Sequence, residues 1–250
     1  MGPVTDVARP SPEMIARADR ALVRTVDGLT DADHAGASLL PGWTRAHVVA
    51  HLALNAEGLA GVLHGAHLGR PQAMYASPDA RDSDIAELAA AGPSELRERF
   101  LASTGQFSEA LEAMHPDDWD GRFERTPGGP GFALVNVALM RVREVEIHHA
   151  DLGAGYSPVD WPADFRVLLL ESMTKRAYPA PFDVRPTDLD RTWHYGDRHK
   201  EGEDGGDGGD GEGGPVVSGT SAALGWWLTG RGTGEGLTTD AAALPEVESW

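Results

Sequence analysis

The first 180 residues of this 250-residue chain are dominated by long segments whose apolar side chains recur at spacings of three and four. That period is typical of amphipathic helices, and it predicts five helical regions. The third region is interrupted at Gly92-Pro93, because a proline inside a helix removes a backbone donor and clashes with the preceding turn. The regions cover about 12–27, 45–68, 82–114, 132–152 and 161–178. Their apolar faces must pack against one another, so the sequence predicts a helical bundle.

The character of the sequence changes near residue 180. Residues 182–189 and 191–195 are typical of short strands, and residues 221–228 of a short helix. The predicted fold class is therefore mainly α with a small α+β part. We predict two domains, a helical bundle over 1–180 and a small α/β domain over 181–250, with a boundary good to about ten residues.

An acidic segment, EGEDGGDGGDGEGG, occupies residues 201–214. Glycine and acidic residues at this density cannot bury apolar surface, so we predict a disordered loop within the second domain. The segment adds to a formal charge of −18 for the whole chain. Because nucleic-acid phosphates would be repelled by such a protein, we expect no nucleic-acid partner.

The sequence also bears on location. It contains no run of about 18 apolar residues, and MGPVTDVARPSPEM lacks the pattern of a signal peptide. We expect a soluble, cytoplasmic protein that does not bind membranes. Its oligomeric state is not indicated by the sequence.

The chain has no cysteine and ten histidines. The lack of cysteine excludes disulfides, thiolate metal sites and a cysteine nucleophile. Histidine must then supply most of any metal chemistry. If thiol chemistry occurs, the sulfur must come from a cofactor.

Two predicted helices each carry ligand-type side chains one turn apart, His47 with His51 and Glu144 with His148. A spacing of four puts both members of a pair on one helix face, and bundles bring such faces together. Two histidines and a glutamate are a common zinc set, with non-haem iron a minor alternative. HVVAH lacks the glutamate of the HExxH zinc-protease motif. Each pair also has a structural explanation: His47 and His51 can be a histidine pair without a metal, and Glu144 and His148 a solvated pair on the helix surface. The pattern alone therefore leaves a shared metal site and two structural pairs open.

A further likeness rests on four segments: LPGWTRAHVVAHLALNA (40–56), AMYASPDARDSDI (73–85), RVREVEIHHADLG (141–153) and SGTSAALGWWLTGRG (218–232). In this order they resemble the mycothiol-dependent maleylpyruvate isomerase family. The first and third are shared by relatives with other activities, whereas the second and fourth point more narrowly to the isomerases. The chain departs from the family pattern at 201–214 and at TPGGPG (126–131), which bears on the substrate more than on metal binding.

The resemblance implies a DinB-like four-helix bundle followed by a small C-terminal α/β domain. It also implies a metal site formed by His51, Glu144 and His148, holding zinc or another divalent metal.

The neighbours of these ligands are assigned on the same basis. His47 becomes a neighbour of the site, and His149 and Glu146 point away from the ligand face. Asp151 either orients a ligand histidine or lies solvated near the helix end, two alternatives of equal weight.

The resemblance also places an arginine important for activity on Arg231. There its guanidinium would bind a substrate carboxylate with two parallel hydrogen bonds. The alternative is a cation that satisfies helix carbonyls past Gly230. We interpret Trp226 and Trp227 as core residues.

The implied function is the mycothiol-dependent isomerisation of maleylpyruvate to fumarylpyruvate, a reaction of aromatic compound catabolism. In this reaction a thiolate adds to the cis alkene, the resulting single bond rotates, and elimination returns the thiol. A metal with an open position would lower the pKa of the thiol. The alternatives are a mycothiol S-transferase, which detoxifies electrophiles, and a non-catalytic metal-binding regulatory protein. A small anionic substrate and a low-molecular-weight thiol are the expected partners.

Overall fold

The computed structural model describes residues 9–196 and 214–248. These residues fall into two compact units, divided after Ser157. We call Arg9–Ser157 the helical unit and the described residues from Pro158 onward the sheet unit. The division comes earlier than the predicted boundary near residue 180, because the helix that follows Trp161 packs within the sheet unit. Apart from Gly214, the predicted acidic loop at 201–214 lies outside the described residues.

The helical unit is built around a four-helix bundle. Its α-helices are α1 (Pro12–Gly28), α2 (Asp31–Ala35), α3 (Arg45–His67), α4 (Pro78–Ala90), α5 (Pro93–Glu112) and α6 (Val137–Asp151). Helices α1, α3, α5 and α6 form a closed ring in which each contacts two others, and α4 packs on the outside of α3. The predicted bundle is confirmed.

Hydroxyl side chains fix where four of these helices begin. Ser11, Thr30, Thr44 and Ser77 each accept a hydrogen bond from the backbone N–H three residues further on. These bonds satisfy donors that the first turn of a helix otherwise leaves without a partner. Gly92 and Pro93 divide the predicted third region into α4 and α5, as expected.

Helix α3 is the centre of the bundle and is buried on nearly all sides. Its most apolar 18-residue window has a mean hydropathy of 1.3, so by length and composition it is able to cross a membrane. One such helix is weak evidence for a membrane span. Here 78% of that window is buried inside the protein, as in the central helix of a bundle.

A buried ion pair joins three of the bundle helices. The fully buried Arg141 of α6 donates from Nη2 to Asp19 Oδ1 of α1 over 3.0 Å. Its Nη1 donates to the Leu52 carbonyl of α3 over 3.2 Å and lies 3.5 Å from Asn55 Oδ1. Since Leu52 follows His51, this arginine fastens α6 to α3 beside one of the predicted metal ligands.

The start of α6 differs from the prediction. Residues Gly131–Ala133 form strand β2, which pairs antiparallel with β1 (Arg122–Glu124). Helix α6 consequently begins at Val137 rather than near residue 132. The short helix α2 was also not predicted, since five residues are too few to show a helical period.

The sheet unit contains two helices and a small mixed sheet, confirming the predicted α/β character. Its elements are α7 (Ala163–Met173), β3 (Phe182–Pro186), β4 (Trp193–Tyr195), β5 (Val216–Gly219), α8 (Ser221–Leu228) and β6 (Thr238–Thr239). The strand order is β4-β3-β5-β6, with β3 and β5 parallel and the outer pairs antiparallel. Helices α7 and α8 pack together. Trp227 is buried as predicted, whereas Trp226 is half-buried against Trp161.

Candidate metal centre

Three ligand-type side chains meet between α3 and α6 inside the bundle. His51 Nε2 lies 2.8 Å from Glu144 Oε2, and His148 Nε2 lies 3.3 Å from the same oxygen. The two imidazole rings are 4.6 Å apart and nearly perpendicular. All three residues are buried, and one ligand atom from each lies within 4.8 Å of the others. The structure thus brings together the three residues that the family resemblance selected.

The chemistry of these donors fits a divalent cation. Two imidazole nitrogens and one carboxylate oxygen form a set that zinc commonly takes in catalytic sites, where the fourth position stays open. Within the described residues no other group of histidine and acidic side chains converges in this way.

The surroundings of Glu144 and His51 favour the protonation states in which these two residues bind a metal. Burial alone would raise the pKa of Glu144, but hydrogen bonds from His148 and His51 outweigh it and hold that pKa well below its ordinary value. Burial also lowers the pKa of His51 to about 4. At neutral pH the site therefore offers an anionic carboxylate and a neutral His51 imidazole.

His148 is held in a defined orientation by the end of its own helix. Its Nδ1 lies 2.8 Å from Oδ2 of Asp151, a carboxylate with no exposed surface. Burial acts to lower the pKa of His148, but Asp151 and Glu144 together raise it above its ordinary value. Of the two alternatives for Asp151, the structure favours orientation of the ligand histidine, with Nδ1–H directed at Asp151 and Nε2 at the site.

The remaining candidates on the two helices are used elsewhere. His47 Nδ1 lies 2.7 Å from Thr44 Oγ1 and accepts the Thr44 N–H over 3.3 Å, which closes a capping box at the start of α3. His149 contacts Thr25 of α1 and stacks on Tyr156. Glu146 accepts a hydrogen bond from the Tyr156 hydroxyl. None of these three residues joins the ligand group.

Residues 15–153, more than half of the chain, match the mycothiol maleylpyruvate isomerase N-terminal domain family. The chain belongs to this family. Two solved structures, of the mycothiol-dependent maleylpyruvate isomerase and of a histidine-to-alanine mutant of it, are similar over 95% of both chains. Each shows 26% sequence identity and a TM-score of 0.79. No curated protein matches the chain by sequence. The structural likeness extends over the sheet unit, which the family match does not reach.

Two side chains of this family member were not assigned to the site from its sequence. Arg81 of α4 places Nη2 3.3 Å from His51 Nδ1, and its guanidinium carbon lies 5.8 Å from the centre of the Tyr75 ring. Both residues belong to the segment 73–85, which contributed to the resemblance without a role for any single residue. The fold alone shows that this segment reaches the metal centre.

Arg231 lies in the sheet unit, just past the end of α8. The residue is buried, its Nη1 donates to the Thr229 carbonyl over 3.1 Å, and its guanidinium carbon lies 5.8 Å from the Trp226 ring. A contact with a carbonyl at a helix C-terminus is what the capping interpretation expects. The role in activity that the family resemblance implies stays a prediction.

The Asp151–His148 contact makes a prediction about metal affinity. Replacing Asp151 with asparagine removes the charge that orients and raises the basicity of the ligand imidazole. We expect zinc affinity to fall roughly 10- to 100-fold. Competition with a chelator of known affinity measures the change. Asp164→Asn, at the start of α7, is the matched control, and equal affinity in Asp151→Asn and the native protein would contradict the orienting role.

The raised pKa of His148 makes zinc binding dependent on pH. Its proton must leave before Nε2 can coordinate a metal, so protons compete with zinc below the folded pKa, which lies above 6.5. We expect the apparent affinity to fall about tenfold per pH unit as the pH decreases below 6.5. A series of chelator competitions from pH 5.5 to pH 8 tests this, and a flat profile would contradict it.

Proposed function

We propose that the chain is a mycothiol-dependent cis–trans isomerase that converts maleylpyruvate to fumarylpyruvate. The observation that carries the proposal is the buried group of His51, Glu144 and His148 in a member of this family. The overall likeness to the solved mycothiol-dependent maleylpyruvate isomerase supports it.

Zinc is the cofactor that these donors suit, and mycothiol is the thiol that the family name suggests. A divalent ion at this site supplies the positive charge that lowers the pKa of a coordinating thiol. The protein's own part is to hold the donors in place. Glu144 remains ionised, Asp151 fixes the orientation of His148, and burial excludes the water that would weaken these interactions.

For Arg231 we propose binding of a substrate carboxylate, for which a guanidinium is well suited. The ligands on this proposal are a small anionic substrate and a low-molecular-weight thiol. A cytoplasmic location without nucleic-acid or membrane partners stays a prediction from the sequence.

The decisive experiment combines metal analysis with turnover. The purified protein should contain about one zinc ion per chain, and fumarylpyruvate should form from maleylpyruvate only when mycothiol is present. Arg231→Ala should retain the zinc and lose most of the turnover, whereas the exposed Arg185→Ala in β3 should keep both. Unchanged kinetics in Arg231→Ala would return this residue to the capping role.

The same assay separates the alternatives. Accumulation of a stable adduct between thiol and substrate, without fumarylpyruvate, would indicate a mycothiol S-transferase. Stoichiometric zinc with no thiol-dependent turnover on any electrophile would indicate a metal-binding regulatory protein.

A further inference from the structure

The buried hydroxyl of Tyr75 has no hydrogen-bond acceptor for its proton among the described residues, because its neighbour Arg81 can only donate. Arg81, which contacts His51, has a buried Nε that also lacks a hydrogen-bond partner among the described residues. Folded proteins rarely leave buried donors unmatched, since each costs about 1–3 kcal/mol. Other arginine Nε atoms among the described residues, such as that of Arg141, are also buried without a partner, so it is the Tyr75 proton that indicates an acceptor from outside the chain.

The position of Tyr75 is fixed by the backbone. Met74 N–H donates to the Glu124 carbonyl over 3.1 Å, and Tyr75 N–H to the Arg125 carbonyl over 2.9 Å, which ties the segment to β1 and the residue after it. On the other side the segment lies against α3, where a Cβ on Gly58 would come within 3.1 Å of the Met74 carbonyl oxygen. These contacts fix the backbone of the segment and therefore the point from which the Tyr75 ring projects.

Tyr75 keeps its proton at neutral pH. Burial raises its pKa, the negative charge of Glu144 raises it further, and Arg81 offsets only part of the effect. Arg81 has donors and no acceptor, so the Tyr75 proton lacks an acceptor however closely the two side chains approach. The Tyr75 proton can therefore be donated only to a ligand from outside the chain, next to the guanidinium of Arg81.

A cavity of about 250 Å³ adjoins this pair, lined by Tyr75 and Arg81 among other residues of the helical unit. A second arginine in its wall, Arg99, is already held by both carboxylate oxygens of Glu57. Nη2 of Arg81 lies against His51, and Nη1 pairs with the exposed carboxylate of Asp82. Its buried Nε is left for a ligand.

We propose that Tyr75 and Arg81 bind an oxyanion of the substrate, a carboxylate or enolate oxygen, beside the metal ligands. The identification of this anion as part of the substrate rests on the proposed function. Donors fixed before the ligand arrives stabilise an oxygen that gains negative charge without further reorganisation. An anion is also the ligand that suits a neutral phenol next to a guanidinium.

The proposal is tested by anion binding in the absence of thiol, with maleate as the probe. Zinc-loaded protein is titrated with maleate and, as the uncharged analogue, with dimethyl maleate, using isothermal titration calorimetry. We expect maleate to bind and dimethyl maleate not to bind. Tyr75→Phe and Arg81→Gln should each weaken maleate binding roughly tenfold or more, the loss of a hydrogen bond to a charged group.

Matched controls isolate the two donors. Tyr178→Phe removes a half-buried tyrosine hydroxyl in the sheet unit, and Arg97→Gln removes an exposed arginine of α5. Both should bind maleate as the native protein does. Because Arg81 contacts His51, the zinc content of every variant is measured before titration. If one of the two site variants does not fold, the other decides.

The proposal is overturned if the native protein does not bind maleate, or if Tyr75→Phe and Arg81→Gln bind it with native affinity. Maleate binding is measured separately from isomerase turnover, so failure of this proposal can be distinguished from failure of the proposed function. If the native protein binds maleate but does not isomerise maleylpyruvate, the proposed function is wrong and the anion site is retained. If the native protein isomerises maleylpyruvate but Tyr75→Phe and Arg81→Gln bind maleate with native affinity, only the anion site is wrong.

Discussion

Replacing Glu144 with glutamine is expected to abolish stable metal binding while the bundle stays folded. The substitution keeps the shape of the side chain but removes the negative charge on which both imidazoles converge. A neutral amide oxygen is a much weaker zinc ligand than a carboxylate, so we expect zinc affinity to fall more than about 100-fold. Elemental analysis after dialysis gives the metal content, and far-ultraviolet circular dichroism gives the helix content.

The same prediction applies to the two histidines, His51 on α3 and His148 on α6. His51→Ala and His148→Ala should each lose zinc and, with it, the proposed thiol-dependent activity. Suitable controls are His64→Ala, an exposed histidine of α3, and Glu87→Gln, an exposed acid of α4. Both should keep one zinc per chain. Stoichiometric zinc in all three site variants would show that the ligand assignment is wrong.

Much of the site could be predicted because its parts are local. The spacing of four on α6 fixes Glu144 and His148 on one face from the sequence alone. The choice of His51 over His47 also had a local signal, since Thr44 stands directly before the predicted second helix and threonine is a favoured helix cap. The third helical residue after a cap is the position whose side chain reaches back to it, and here that residue is His47. The meeting of α3 and α6 needed the family resemblance, because spacing along one helix says nothing of its partner.

The parts that escaped prediction depend on contacts between distant segments. Strands β1 and β2 have three residues each, and pairing across a turn-rich loop leaves little alternation to detect. Tyr75 lies beside Arg81, which contacts His51, because its segment is attached to β1 and packs over Gly58 of α3. No pattern within the segment predicts that placement. The Arg141–Asp19 pair spans α6 and α1, so neither residue shows its partner in the sequence.

The buried Arg141–Asp19 pair is expected to contribute strongly to the free energy of unfolding. Replacing Asp19 with alanine leaves the Arg141 guanidinium buried without its counter-charge, which destabilises a protein by about 3–5 kcal/mol. We expect the free energy of unfolding to fall by that amount in a urea titration. The matched control is Asp27→Ala, which breaks the exposed pair with Arg97 and should cost at most about 1 kcal/mol.

A double replacement distinguishes the pair's contribution to stability from its contribution to geometry. Asp19→Leu combined with Arg141→Met removes both charges at once, and such apolar exchanges are often neutral in stability. The unfolding free energy should then return to within about 1 kcal/mol of the native value. Zinc affinity should not recover fully, because methionine cannot make the Arg141 hydrogen bond to the Leu52 carbonyl that fixes α6 beside His51. Native zinc affinity in the double variant would show that the apolar packing of α3 and α6 is sufficient to position the ligands.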